Sequence, residues 1–303
     1  SGEYDRIAVL FRTNAQSRVF EDAFRNRNIR YRVVGGMSFY ERKEVKDCCA
    51  FLSLLVNPKD TIGCERIINV PSRGIGEKTK NSILGRARKA GLSMMEYVME
   101  GDIDQLSRKA SRGLNELRET FTSALEMKKQ GAAPFAILNR ILEKSGYITM
   151  LEEEDSPEAE ARIDNINELV NAMAIWGNEN PEKTLEDFLD EISLLTSVDS
   201  MDEENRGVNL MTLHCAKGLE FSHVFIVGVE DGLLPSRQNL DNERFIEEER
   251  RLFYVGVSRA MERCNCSYVE ERWRFGSLIP MSPSRFLEDI PAELYEFEDH
   301  SAP

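Results

Sequence analysis

The distribution of strand patterns along the chain limits the fold more than any other feature. Buried-strand patterns occur near the amino terminus, at residues 6–11 and 31–36, and return only after Gly207, at 208–213, 224–228 and 263–270. Helical periodicity occurs at 15–28 and 245–260, and it recurs between the two groups of strands near 41–56, 77–90, 105–129, 133–145, 159–176 and 182–195. The sequence therefore predicts an α/β domain that is interrupted by a large, mostly helical insertion.

Length and composition agree with that division. A chain of 303 residues, 41% of them hydrophobic, can bury one large core or two ordinary ones, which favours two domains. Its apolar runs are too short to span a membrane, and its first residues lack the pattern of a secretion signal, so we expect a cytoplasmic protein without a membrane partner. The six cysteines and three histidines show neither a C-x-x-C pair nor zinc-ligand spacing, so no disulfide framework and no metal site are expected.

Charge is distributed unevenly along the chain. The formal net charge is −14, but residues 66–91 carry seven Lys or Arg and one acid, whereas residues 150–206 carry eighteen Asp or Glu and three basic residues. So acidic a chain is not expected to coat nucleic acid over its whole surface, although the basic segment can meet an anion. Solvated helix faces are the alternative explanation for both segments.

A turn rich in polar groups lies between two of the predicted strands. In MTLHCAKGLEF (211–221) an apolar run ends, and His214, Lys217, Gly218 and Glu220 follow. Open α/β sheets place their ligands at the ends of buried strands, yet the chain contains no G-x-x-x-x-G-K-[ST] phosphate loop. Taken alone, the histidine fits a satisfied turn residue and the lysine a surface residue, so it is the density of the cluster that favours a site.

Several long segments resemble one group of enzymes. MTLHCAKGLEFSHVFIVGVEDGLLP, followed by EEERRLFYVGVSRA, is similar to motifs V and VI of the UvrD/Rep/PcrA group of superfamily 1 DNA helicases, which move 3′ to 5′. VLFRTNAQSRVFEDAF, GGMSFYERKEVKD, NVPSRGIGEKT and RFGSLIPMSPSRFLEDIP also look like that group's pattern, in the same order. The resemblance covers nearly the whole chain and rests on several matches.

The resemblance implies an architecture. It predicts a RecA-like parallel-sheet domain, called 2A, in residues 1–38 and 206–303, and a helical insertion domain, called 2B, in residues 39–205. The Walker A, Walker B and QNYRS-type motifs of the group are absent from the sequence, so the chain is expected to be the C-terminal half of a helicase. ATP and Mg²⁺ would be bound mainly by the missing N-terminal half, and 2A would supply the second wall of the ATP cleft.

Three residues match the group's nucleotide-side positions. Arg259, in YVGVSRA, matches the motif VI arginine at the γ-phosphate, and Glu220, in KGLEF, matches the residue that hydrogen-bonds the ribose. Lys217 matches a motif V position that links the nucleotide cleft to the DNA track. An arginine delivered from a facing domain is a recurring part of phosphoryl transfer, so Arg259 is the predicted catalytic residue. Arg250 and Arg251 lie in the same motif, where ion pairing with neighbouring acids explains them equally well.

A second set of residues matches the group's contacts with single-stranded DNA. Arg12 and Asn14, in FRTNAQSR, match residues that touch the backbone, and His214 matches a motif V position near the DNA track. Phe275 matches an aromatic that stacks on a base. Such stacking tolerates any sequence and contributes about 1–3 kcal/mol per base, which suits a motor that moves along DNA. A core position is the alternative for Phe275, although aromatic and basic residues surround it at 272–274.

The stretch RGIGEKT (73–79) lies in the basic segment and precedes a predicted helix. Glycines permit close approach of the backbone, and amides at a helix N-terminus can bind a phosphate without reading bases. The stretch resembles the group's helix-hairpin-helix contact with duplex DNA, which would involve Arg73, Gly74, Gly76 and Lys78. A dinucleotide-binding loop is disfavoured because the third glycine of that motif is missing, and an uncommitted structural turn is the alternative.

These observations predict the C-terminal fragment of an ATP-dependent DNA helicase that acts in DNA repair and is inactive as an ATPase alone. The expected partners are single-stranded DNA, single-strand/duplex junctions, the missing RecA-like half and repair proteins. A noncatalytic DNA-binding or regulatory module related to helicases is the alternative. A RecB-like subunit joined to a nuclease is disfavoured because the insertion is compact and no nuclease-like metal cluster follows it in the sequence.

Overall fold

The computed structural model describes residues 4–103, 105–199, 207–274 and 277–300. The strands in chain order are β1 (Ile7–Phe11), β2 (Tyr31–Val33), β3 (Val208–Thr212), β4 (Phe221–Val227), β5 (Ala260–Ser267), β6 (Glu271–Arg274) and β7 (Ser277–Pro280). The helices in chain order are α1 (Ser17–Asn26), α2 (Lys43–Val56), α3 (Thr61–Ile67), α4 (Glu77–Ala90), α5 (Met94–Glu100), α6 (Arg108–Lys129), α7 (Pro134–Ser145), α8 (Tyr147–Glu154), α9 (Pro157–Glu179), α10 (Leu185–Asp199) and α11 (Glu243–Val257).

Internal contacts divide the chain into two units. The first, called the sheet unit here, comprises Ser1–Ser38 and Glu204–Pro303, and the second, called the helical unit, comprises Phe39–Glu203. Over the described residues, the sheet unit contains a five-stranded parallel sheet in the order β2-β3-β1-β4-β5. The predicted fold class, an α/β protein with a parallel sheet interrupted by a helical insertion, is confirmed.

The sheet is covered on both faces, which explains the nearly continuous apolar runs in its central strands. Leu10 packs into one hydrophobic core and Phe11 into the other, because successive side chains of a strand point to opposite faces. The helix α11 covers the first core through Phe253, and α1 covers the second through Phe24.

Some elements of the sheet unit differ from the sequence prediction. The strand β4 begins at Phe221, before the predicted start at 224, and therefore follows Glu220 directly. The last long helix ends at Val257, so Arg259 lies in the short link between α11 and β5. The antiparallel hairpin formed by β6 and β7 was not predicted.

The helical unit has a hydrophobic core of its own, centred on α2. Phe51 of α2 contacts the rings of Phe121 and Tyr147, with centroid distances of 6.1 and 6.4 Å. Asp47, one turn earlier on α2, accepts hydrogen bonds from the Tyr147 hydroxyl and the Arg66 guanidinium, both at 2.8 Å. Burial, followed by the charge of Asp47, raises the pKa of Tyr147. Of the helices in the described ranges, none is long and apolar enough to cross a membrane.

Candidate nucleotide and DNA interface

The turn that carries His214 to Glu220 crosses the sheet from one edge to the other. β3 ends beside the carboxyl end of β1, and β4 begins beside the amino end of β1. His214 therefore lies at the carboxyl edge of the sheet and Glu220 at the amino edge. Ala216 is buried and anchors the turn, while His214, Lys217 and Glu220 are exposed. His214 and Glu220 are thus close in sequence but lie at opposite edges of the sheet.

Arg259 lies at the amino edge, beside the end of this turn. Its Nη1 donates to the carbonyl of Leu219 at 3.0 Å, and the backbone N–H of Phe221 donates to the carbonyl of Arg259 at 2.9 Å. Nε and Nη2 donate to the carbonyl of Val255 and the hydroxyl of Ser258, at 2.9 and 3.0 Å. All these acceptors are neutral, so no carboxylate of the described chain compensates the positive charge of this guanidinium.

The amino edge therefore combines a cation with an exposed carboxylate. Glu220 adjoins Leu219, the residue whose carbonyl binds Arg259, and Lys217 lies on the same exposed turn. A planar guanidinium can donate two parallel hydrogen bonds to a phosphate, and a carboxylate can accept one from a hydroxyl. This combination of a cationic donor and an anionic acceptor fits one wall of a nucleotide site. Within the described ranges, no cluster of three or more His, Cys, Asp or Glu could hold a metal ion.

Arg12 lies at the carboxyl edge and is bound to a buried carboxylate. Its Nε donates to both oxygens of Glu249, at 3.0 and 2.9 Å, and its Nη2 donates to Oε1 at 2.7 Å. The side chain of Glu249 is 4% exposed and also accepts from Asn239 Nδ2 at 2.8 Å. The predicted DNA contact of Arg12 thus has a physical difficulty, because its charge is neutralised within the sheet unit.

His214 and Asn14 are the other predicted residues of the carboxyl edge. Desolvation, followed by the charge of Arg12, lowers the pKa of His214, while the carboxylates of Glu249 and Glu248 act in the opposite direction. The lowered pKa favours the neutral form of the His214 imidazole. Asn14 is exposed in the single 3₁₀ turn that follows β1.

The hairpin region contains the predicted stacking residue. Phe275 lies outside the described residues, and β6 and β7 flank it on either side. Trp273 of β6 pairs with Leu278 of β7 in the antiparallel register. The structure therefore describes the two strands of the hairpin, but not Phe275.

In the helical unit, the side chain of Arg73 is buried. Its Nη1 donates to the carbonyls of Val70 and Ile67 at 2.8 and 3.1 Å, and its Nη2 donates to that of Ser145 at 3.4 Å. Burial lowers the pKa of Arg73 to about 10. The backbone N–H of Arg73 donates to Asn69 Oδ1 at 2.8 Å. The Arg73 guanidinium therefore joins several carbonyl groups around the loop.

Two glycines and two exposed lysines lie in or beside the same loop. Gly74 has φ of +73°, a conformation that favours glycine, and a Cβ there would lie 2.7 Å from the side chain of Lys109. A Cβ at Gly76, the N-cap of α4, would meet nothing within 4 Å. Lys78 in the first turn of α4 is exposed, as is Lys109. We call this surface, formed by Gly74, Gly76, Lys78 and Lys109, the glycine-lysine surface.

Sequence reasoning missed Glu249 and Lys109. Glu249 is hidden in a run of charged residues, but it lies on the buried stripe of α11 with Ile246 and Phe253, and that helical spacing could have revealed it. Lys109 joins the glycine loop only through the tertiary fold of α6, so no local pattern marks it.

The two arginines that follow Glu249 are paired at the helix surface. Arg250 contacts Glu247 at 3.2 Å and also pairs with Asp289, and Arg251 contacts Glu248 at 2.9 Å. These contacts match the ion-pairing interpretation of both residues.

Comparison with known proteins gives a consistent result. The profile of the UvrD-like helicase C-terminal domain matches residues 1–271. The chain is 38% identical to the ATP-dependent DNA helicase PcrA of Staphylococcus aureus over 99% of its own length, and 39% identical to that of Bacillus subtilis over 96%. It spans only 41% and 40% of these two relatives. With a family profile matching most of its length, the chain belongs to the family of UvrD-like helicase C-terminal domains.

Proposed function

We propose that this chain is the C-terminal part of an ATP-dependent DNA helicase that moves 3′ to 5′. The observation that carries the proposal is the amino edge of the sheet, where Arg259 keeps an uncompensated charge beside the turn that holds Glu220. The printed names of the relatives, ATP-dependent DNA helicase PcrA, support the same activity.

The proposal assigns domain 2A to residues 1–38 and 206–303 and domain 2B to residues 39–205. The division of internal contacts and the separate hydrophobic cores of the two units support this assignment. In the proposal, a P-loop domain outside this chain binds ATP and Mg²⁺, and 2A faces it across the nucleotide.

At the nucleotide, Arg259 is the proposed catalytic residue. Its guanidinium lies near the C-terminal end of α11, where the helix dipole favours a cation, and it is held by neutral acceptors that leave its charge available for a phosphate. Glu220 would accept a hydrogen bond from the ribose, and Lys217 would add positive charge on the turn between the edges. ATP supplies the phosphoryl group, whose transfer depends mainly on positioning and charge stabilisation.

At DNA, we propose two separate contact regions. The carboxyl edge, with Asn14 and His214, and the hairpin with Phe275 would contact the single strand. Arg12 would act indirectly, because its bond to Glu249 fixes the start of the turn that carries Asn14. This arrangement lets the single strand be held without base-specific hydrogen bonds, as a motor requires.

The glycine-lysine surface is the proposed contact with duplex DNA. Gly74 and Gly76 would allow the backbone to approach phosphates, and Lys78 would supply charge. Arg73 would act through the loop that it holds. DNA repair as the process, repair proteins as partners and the cytoplasm as the location complete the proposal.

A binding experiment tests the proposal. The chain should bind a labelled oligothymidylate, and it should bind a duplex with a 3′ single-stranded tail more tightly, in fluorescence anisotropy over a salt series. Because phosphate contacts release counterions, log Kd should depend steeply on log salt concentration. A chain that binds neither DNA at low salt would refute the proposed DNA contacts.

A further inference from the structure

The β6–β7 hairpin is fastened to the sheet unit by a fully buried carboxylate. Glu230 lies just beyond β4 and has no exposed surface. Its carboxylate accepts hydrogen bonds from Nε and Nη2 of Arg272, at 3.1 and 2.7 Å, and from the backbone N–H of Val269 at 3.1 Å. A buried charge is costly unless it is paired and hydrogen-bonded, so Glu230 strongly favours the one hairpin orientation that supplies these donors.

The other side of the hairpin is fastened to the same segment. Asp231, the next residue, accepts Nε and Nη2 of Arg285 at 3.0 and 2.8 Å, and its own backbone N–H donates to the carbonyl of Ser282 at 3.1 Å. The backbone N–H of Ser284 donates to the carbonyl of Val229 at 2.9 Å. The chain before β6 and the chain after β7 are therefore both held by Val229, Glu230 and Asp231, a short segment just beyond the end of β4.

The two fastenings differ in their exposure. The side chains of Arg285 and Asp231 are 42% and 24% exposed, whereas that of Glu230 is 0% exposed against 31% for Arg272. Exposed ion pairs contribute little, because water screens them. The Glu230–Arg272 pair therefore contributes more to holding the hairpin than the Asp231–Arg285 pair does. Because the guanidinium is planar and donates through two nitrogens, it fixes the direction of β6 as well as its distance from Glu230.

We infer that Glu230 is a positioning residue, which holds Arg272 so that the β6–β7 hairpin projects in the orientation needed to contact single-stranded DNA. The inference rests on the proposed function for its DNA. It also gives Arg272 a definite role: this arginine orients the hairpin through Glu230 and does not bind phosphate itself.

The sign of a charge effect separates this role from simple electrostatics. Replacing Glu230 by Gln removes a negative charge, so electrostatics alone would tighten DNA binding. A positioning role predicts weaker binding, because the neutral amide holds the guanidinium less firmly. Replacing Arg272 by Gln should weaken binding to a similar extent without flattening the salt dependence. If Arg272 touched phosphate, the slope would fall by about 0.7 for each lost contact with a single strand.

The experiment uses the whole chain with E230Q, R272Q and the double variant. E298Q and R263Q are matched controls, since Glu298 and Arg263 form an exposed pair in the same unit. Single-strand affinity is measured by anisotropy with labelled oligothymidylate, and thermal stability is measured for each variant. We expect each test variant to bind roughly five- to tenfold more weakly, near the lower end of the contribution of one stacked base. The double variant should lose no more than either single one.

A second readout reports the hairpin without DNA. The chain has two tryptophans, so W176F leaves Trp273 of β6 as the only indole. Acrylamide should quench Trp273 more readily in E230Q and R272Q than in their parent, and R272K should recover part of the protection because it keeps the charge but not the fork. If either single variant does not fold, the double variant carries the test, since it leaves no buried carboxylate without its partner.

Two results would overturn the inference. One is unchanged or tighter single-strand binding by a folded E230Q or R272Q variant with unchanged Trp273 quenching. The other is an equal loss of single-strand and duplex binding that follows a lowered melting temperature, which would indicate general destabilisation. Failure of the parent chain to bind DNA would instead refute the proposed function, and the quenching would still report whether Glu230 holds the hairpin.

Discussion

At the scale of single residues, Arg12 and Arg259 show how partners decide what an arginine can do. Both flank strands of one sheet, and both make several hydrogen bonds. Arg12 binds the buried carboxylate of Glu249, so its charge is neutralised where it stands. Arg259 binds two carbonyls and a hydroxyl, so its orientation is fixed while its charge remains available. Of these two arginines, Arg259 is therefore the one whose charge is available to bind an anion.

Replacing Arg259 by Ala should lower kcat for ATP hydrolysis by roughly 10³- to 10⁵-fold in the intact helicase, the range seen for arginines that stabilise phosphoryl transfer. Binding to single-stranded DNA should change little. R251A is the matched control, because Arg251 lies on α11 and is paired at its surface with Glu248. Steady-state ATPase assays with saturating DNA give the comparison, and a normal kcat for R259A would return the residue to a structural role.

Replacing Arg12 by Ala should destabilise the fold by about 3 kcal/mol, because it leaves Glu249 buried without its partner. Adding E249Q to R12A should restore part of the lost stability, since the amide that replaces the Glu249 carboxylate removes the uncompensated charge. Chemical denaturation of the single and double variants measures both effects. A stable R12A variant with weaker single-strand binding and a salt slope lowered by about 0.7 would instead favour direct contact with phosphate.

At the scale of elements, the sequence predicts what is long or strongly patterned. β1, β3 and the core of β4 are visible because parallel strands covered on both faces are almost wholly apolar. The short helices α3, α5 and α8 were missed, since two turns give too few apolar repeats to count. The hairpin was missed because β6 contains three charged residues and a single tryptophan, and because it is held by Glu230, which lies 42 residues before Arg272.

The candidate site was predictable as a set of residues but not as an arrangement. The sequence places His214, Lys217 and Glu220 on one turn, and only the strand register shows that this turn crosses the sheet. Likewise, Arg73 is one of several basic residues in its segment. Its burial depends on the carbonyl of Ser145, far along the chain, which no local pattern encodes.

The glycine-lysine surface should bind duplex DNA through exposed groups alone. K78E and K109E should each weaken binding to a tailed duplex, leave a plain single strand nearly unaffected, and flatten the salt dependence by roughly 0.9 per lost phosphate contact. K129E is the matched control, because Lys129 is exposed at the opposite end of α6 from Lys109. R73Q should behave differently, lowering the melting temperature and both kinds of binding together, since its guanidinium holds the loop. Anisotropy on the two DNAs with a melting curve for each variant distinguishes these outcomes, and loss of single-strand binding in K78E and K109E would contradict the duplex assignment.

At the scale of the whole molecule, tertiary structure reduces the charge that the basic segment presents. The chain has a net charge of −14, and residues 66–91 hold the main positive segment. Arg66 pairs with Asp47, and Arg73 is buried, while Lys78 is exposed. Counting charges in the sequence therefore overstates the positive surface, and any DNA contact by this segment must be local.

The chain by itself should lack DNA-stimulated ATPase activity comparable to that of an intact helicase. Hydrolysis needs a phosphate cradle and Mg²⁺ ligands facing Arg259. The sequence contains no Walker A motif. Phosphate release, measured with malachite green and single-stranded DNA, should therefore stay near background for the chain and rise when the P-loop domain is present.

R259A serves as the control for contamination, because phosphate release that persists unchanged in this variant does not come from the proposed site. Turnover by the chain near the rate of the intact enzyme, and sensitive to R259A, would contradict a site shared between two domains. If the intact protein also shows no DNA-stimulated turnover, the alternative of a noncatalytic DNA-binding module gains support, because Arg259 would then have no transition state to stabilise.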